Sequence, residues 1–96
     1  DLPKTFAVQR DLALLVDQKV QYADLVRTSR KAEKALLNNV ELFDVYEGKN
    51  LPEGKKSYGL RFTLIDTNKT LNDKQLDDAM DRIRKSLEKD FGAELR

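Results

Sequence analysis

The sequence predicts an α+β fold, a four-stranded antiparallel sheet with two helices covering one face. Two observations carry that prediction. Apolar residues alternate along strand-length segments and switch twice to helical spacing, and the two periods follow one another as strand, helix, strand, strand, helix, strand. A chain of 96 residues is the ordinary size of a single domain, expected to bury roughly 60–65% of its unfolded surface around one core.

Residues 6 to 16 place Val8, Leu12, Leu14 and Val16 at even positions, broken only by Arg10, which reads as a central strand. From Tyr22 to about Lys34 the apolar positions Tyr22, Leu25, Val26 and Ala32 keep helical spacing, with Arg27, Arg30, Lys31 and Lys34 mostly off that stripe. That basic group reads as a solvated helix face. Val40, Leu42, Phe43, Val45 and Tyr46 within 36 to 47, and Tyr58, Leu60, Phe62, Leu64 and Ile65 within 56 to 66, mark two further strands. Gly48 to Gly54, with Pro52, joins them as an antiparallel hairpin. Asn72 followed by Gln75 is a capping-box pattern, and Leu76, Ala79, Met80, Ile83, Leu87 and Phe91 then trace one helical face that Gly92 closes. A short strand from Ala93 to Arg96 ends the chain. This order is the split βαβ of the ferredoxin-like fold, with one sheet face left open.

Composition excludes several functions. The chain has no Cys and no His, which removes disulfides, thiolate metal sites and the commonest general base. Asp77, Asp78 and Asp81 lie on a continuous helix, which cannot wrap a calcium ion as a turn-rich loop does. Lys and Arg number 18 against 17 Asp and Glu, so a net charge of +1 gives no general attraction to nucleic acid, and any RNA contact must be local. No apolar run approaches the roughly 20 residues needed to span a bilayer, and the first residues lack signal-peptide order, so a cytoplasmic setting and no membrane partner are expected. The chain opens with Asp1 rather than Met, and residues 1–96 are therefore expected to be one domain of a longer protein.

Function then depends on the open face. In the third strand Tyr58, Leu60, Phe62 and Leu64 must face the helices, leaving Ser57, Gly59, Arg61 and Thr63 outward. The segment 56–62 superficially resembles the aromatic stacking strand of RNA-recognition-motif domains. Parity argues against that, because exposing Tyr58, Leu60 and Phe62 would bury Arg61 unpaired. In the second strand we expect Phe43 and Val45 to be buried, which turns Asp44 and Tyr46 outward beside Ser57, Gly59 and Arg61, with Asp11, Ala13 and Leu15 alongside. Small residues at Ala13, Ser57 and Gly59 let a flat ring approach the backbone, Tyr46 offers a stacking surface, and Asp44 accepts from a base amine or imine. A guanine edge suits that acceptor. On the residues alone Asp44 reads first as a strand carboxylate paired with Arg61 or Arg10. Lys55, Lys56, Arg61 and Arg96 suit phosphate contacts, although exposed Lys at strand ends also blocks edge pairing.

Ala7 to Leu14 (AVQRDLAL), Val40 to Tyr46 (VELFDVY), Pro52 to Ser57 (PEGKKS) and Phe91 to Arg96 (FGAELR) together resemble the ferredoxin-fold anticodon-binding domain of bacterial phenylalanyl-tRNA synthetase β subunits, over nearly the whole chain. The resemblance implies a non-catalytic domain whose open face holds the anticodon of phenylalanine tRNA, first base guanine, through Ala13, Asp44, Tyr46 and Ser57. It also implies a parent α2β2 enzyme that uses ATP and magnesium in its α subunit, with no cofactor in this domain. Two positions depart from the family pattern: Gln9 stands where a second Arg is frequent, and Ser29 where the buried stripe calls for an aliphatic. The rival classes are a small phosphatase, which needs a Gly-rich anion loop that is missing after the first strand, and a protein-docking or small-ligand-sensing module, which predicts dimerisation or ligand-induced stabilisation without tRNA.

Overall fold

A computed structural model describes residues 7–48, 50–66 and 71–95 of the chain. Its elements follow the expected order: β1 (Ala7–Asp17), α1 (Tyr22–Ala32), β2 (Leu37–Tyr46), β3 (Lys55–Ile65), α2 (Asp73–Phe91) and β4 (Glu94–Leu95). The four strands form one antiparallel sheet in the order β2-β3-β1-β4, so β1 and β3 are central. Phe6 and Arg96, expected in the first and last strands, lie outside the described residues.

Periodicity explains the core. Tyr58, Leu60, Phe62 and Leu64 from β3 and Leu14 and Val16 from β1 are buried with Leu25 of α1 and Leu76, Ala79, Ile83 and Leu87 of α2. Fully burying a Leu or Phe of this kind stabilises by roughly 1.5–3 kcal/mol. Two tyrosines tie the edges of this layer to the backbone: Tyr22 Oη donates to the Val40 carbonyl at 2.7 Å and Tyr58 Oη to the Val20 carbonyl at 3.1 Å.

Local chemistry sets the helix ends. Gln75 N–H donates to Asn72 Oδ1 at 2.8 Å and Asn72 N–H to Gln75 Oε1 at 3.1 Å, the reciprocal capping box. At the other end of α2, Gly92 takes φ 62, a left-handed conformation that glycine adopts without Cβ strain. Helix α1 stops at Ala32, two residues before the expected Lys34. Glu33 is buried beyond it, 4% exposed, where it accepts from the Leu36 N–H at 3.2 Å and from the Arg82 guanidinium on α2. Ser29 is fully buried on the α1 stripe, and its hydroxyl returns to the Leu25 carbonyl at 2.7 Å, so the missing aliphatic leaves no unsatisfied group.

The second strand departs from expectation. Pairing with β3 shifts between Leu37 and Asn39 and again between Leu42 and Asp44. Leu42 opposes Leu60 and Val45 opposes Tyr58, both on the helix-covered side, while Asp44 opposes Gly59 and Tyr46 opposes Ser57. Phe43 is the extra residue at the second shift. It was expected in the core, but it is 51% exposed and its ring tip lies over Gly59 on the open face. Val45, also expected in the core, keeps the predicted side but is 47% exposed, because β2 is an edge strand. A β-bulge resolves the conflict: two residues opposite one let Leu42 and Val45 point the same way despite unequal parity.

Candidate nucleic-acid interface

Beyond a row of Asn39, Thr63 and Gln9, register sorts the open face into three further rows across β2, β3 and β1. The first is Glu41, Arg61 and Asp11; the second Asp44, Gly59 and Ala13; the third Tyr46, Ser57 and Leu15, which continues to Glu94 on β4. The middle row has the smallest side chains of its own, none at Gly59 and only a methyl at Ala13, and the space over Gly59 is taken by Phe43. Asp44 stands at its outer end, exposed, and among the described residues nothing donates to its carboxylate. Its acceptor capacity is free for a ligand.

The bulge supplies the second feature of this row. A Cβ built on Gly59 would lie 2.9 Å from Phe43 Cζ, 3.0 Å from Phe43 Cε1 and 3.1 Å from Asp44 Cβ, so the aromatic ring rests on bare backbone. The Arg61 guanidinium sits 5.3 Å from the centre of that ring, within cation–π range. Arg61 is in turn gripped by Asp11, with Nε to Oδ1 at 2.9 Å and Nη2 to Oδ2 at 3.1 Å. These hydrogen bonds, more than the charge beside it, hold the Asp11 carboxyl below its ordinary value and raise that of Arg61. Arg61 thus pairs with Asp11 rather than Asp44, while Arg10 donates to the Gln9 carbonyl at 3.0 Å.

Of the residues singled out from the sequence, Ala13, Asp44, Tyr46, Ser57 and Arg61 share the open face. Tyr46 leans toward the hairpin, its Oη where a Cβ on Gly48 would come within 2.6 Å. Ser57 lies between Tyr46 and Leu15 and is only 4% exposed, shielded by its larger cross-strand neighbours. Lys56 belongs to the opposite set: it pairs in register with Val16, and its ammonium lies 4.8 Å from the Tyr58 ring centre. Arg96 is outside the described residues. Phe43 was missed as an open-face residue. The signal was present, since the apolar positions Val40, Leu42 and Val45 change parity after Leu42 and demand one inserted residue.

A single antiparallel sheet with both helices on one side, and Asp44, Phe43 and Tyr46 on the other, defines an α+β domain with one open sheet face. The chain belongs to the ferredoxin-fold anticodon binding domain family, whose model matches residues 3–96. It is similar to the phenylalanine–tRNA ligase beta subunit of Porphyromonas gingivalis, 56% identical over 96 residues, and to that of Bacteroides fragilis, 53% identical over 96 residues. The beta subunit of Lactococcus lactis is 41% identical over the same length. All of this chain is covered in each, and it spans 12% of the length of each relative.

Proposed function

We propose that the open sheet face binds the anticodon loop of phenylalanine tRNA, with Ala13, Asp44, Tyr46 and Ser57 around the first anticodon base. The observation that supports this most is the Asp44 carboxylate, which has no donor among the described residues, in the same row as the exposed Ala13 methyl and beside the Phe43 ring that covers Gly59. A guanine has an N1–H and an N2 amine on one edge, two donors matched to one carboxylate. Ala13, exposed and carrying only a methyl, lets the base approach the sheet beside the Phe43 ring, and Tyr46 borders the row as a stacking surface. Ser57, being nearly inaccessible, acts by keeping the row shallow and through its backbone. Arg61 uses Nε and one Nη2 hydrogen on Asp11 and retains its other donors for a phosphate. In this reading Lys56 contributes charge from the start of β3, and Arg96 is a further proposed phosphate contact.

The domain then serves a longer β subunit within an α2β2 phenylalanine–tRNA ligase of the cytoplasm, residues 1–96 forming its anticodon-binding part while the α subunit carries out aminoacylation. In this reading ATP and magnesium belong to the catalytic part of that parent, and no cofactor is assigned to this domain.

The test is a titration of this chain with a phenylalanine anticodon stem-loop, and with one whose first anticodon guanine is replaced, followed by backbone amide NMR at fixed low salt. The expected result is shifts at Ala13, Asp44, Tyr46 and Ser57 that weaken with the replaced base. Base-independent shifts confined to Lys and Arg positions would overturn the reading.

A further inference from the structure

We propose that Phe43 is a second base-stacking residue, receiving the unpaired nucleobase next to the one held at Asp44, and that Arg61 is the positioning residue that fixes its ring. The inference rests on the anticodon-loop reading above and extends it by one nucleotide.

An exposed apolar side chain is by itself ordinary on a protein surface. Phe43 differs because its exposure is built. The insertion between Leu42 and Asp44 turns it out of a strand whose neighbouring apolar residues, Leu42 and Val45, point toward the helices. Bulges of this kind re-aim a side chain and occur next to functional sites. The ring is then held on the open face by a chain of contacts: its tip on Gly59, the Arg61 guanidinium 5.3 Å from its centre, and Asp11 holding that guanidinium through two hydrogen bonds. Half of the ring's residue surface stays accessible to solvent.

A ring held in place before binding loses little freedom when a base stacks on it, which favours affinity. Stacking does not depend on base identity, since every base presents a π face. Phe43 and Asp44 are chain neighbours, about 3.8 Å apart at Cα, a spacing that two adjoining nucleotides of one strand readily span. Identity is therefore read at Asp44, and Phe43 adds a sequence-tolerant contact beside it.

The test uses this chain with a phenylalanine anticodon stem-loop carrying 2-aminopurine immediately 3′ of the first anticodon guanine, whose fluorescence falls on stacking. A second loop replaces the guanine, and a third is abasic at the 2-aminopurine position. For Phe43→Leu, with amide spectra checking the fold, affinity for the first loop is expected to fall roughly tenfold and the quench to disappear while the guanine preference remains. Phe43→Tyr, which keeps the ring, is expected to retain both, and the Leu variant and the parent chain are expected to bind the abasic loop equally. Guanine preference with no change in affinity or quench in Phe43→Leu overturns the inference and leaves the anticodon reading standing. So does a loss that persists on the abasic loop. A parent chain without guanine preference overturns both.

Discussion

A methyl group added at Gly59 would press on Phe43 Cζ and Cε1 at about 3 Å, and the ring, being half exposed, is free to yield. Gly59→Ala is therefore expected to lift Phe43 off the sheet rather than to break β3, at a cost of about 1 kcal/mol in chemical denaturation. Amide shifts should concentrate at Phe43, Asp44 and Arg61. A loss several times larger would mean that the bulge itself cannot survive the displacement. The neighbouring ion pair has a pH signature. Hydrogen bonding to Arg61 lowers the Asp11 carboxyl beneath its ordinary 3.8. Its contribution to stability is therefore complete above that value and is lost as the pH falls through the lowered one. Carboxyl NMR should place the Asp11 midpoint below 3.8, and Arg61→Met should return it toward 3.8. An unchanged midpoint in the variant would show that Asp11 does not depend on Arg61.

Between elements, the C-terminal end of α1 is tied to α2 by Glu33 and Arg82. Glu33 is buried and Arg82 half exposed, so the two partners differ in what their removal leaves behind. Arg82→Met strips a buried carboxylate of its charged donor and leaves it the Leu36 N–H alone, with a loss of roughly 1.5–3 kcal/mol expected in urea unfolding. A change below about 0.5 kcal/mol would place the pair with ordinary surface salt bridges such as Arg27 with Asp24. This contact was invisible in the sequence, where Glu33 sits among solvated charges at a helix end and 49 residues separate it from Arg82. Helix α2 was legible because its capping box, apolar stripe and terminal glycine all agree. So was β3, whose strict alternation sorts residues 57 to 64 between two faces. Strand β2 was not, because its insertion breaks the alternation on which the reading depends. Alternation carried back from Val45 through the insertion therefore assigned Phe43 to the core, while Asp44, Val45 and Tyr46, which lie after the insertion, were placed on their observed sides.

Positive and negative charges nearly cancel over the whole molecule, so the proposed recognition by the open face would differ from the usual electrostatic grip on nucleic acid. The net charge is +1, and one row of the open face sets Arg61 between two acids, Glu41 and Asp11. The conspicuous basic group, Arg27, Arg30, Lys31 and Lys34, belongs to α1 and the segment just beyond it, on the helix-covered side of the sheet. If the anticodon loop binds the open face, about two or three cations at most among the described residues meet phosphates, and each single-strand contact contributes about −0.7 to the slope of log affinity against log salt concentration. A slope near −2 is therefore expected for the stem-loop titrated from low to physiological salt. Because base contacts release few counterions, the ratio of affinities for the guanine loop and its replacement should stay nearly constant over that range. A slope steeper than about −4 would require more cations than the described residues place on the open face and would move the binding surface to the α1 side, where Arg30 and Lys31 would then become the residues to substitute.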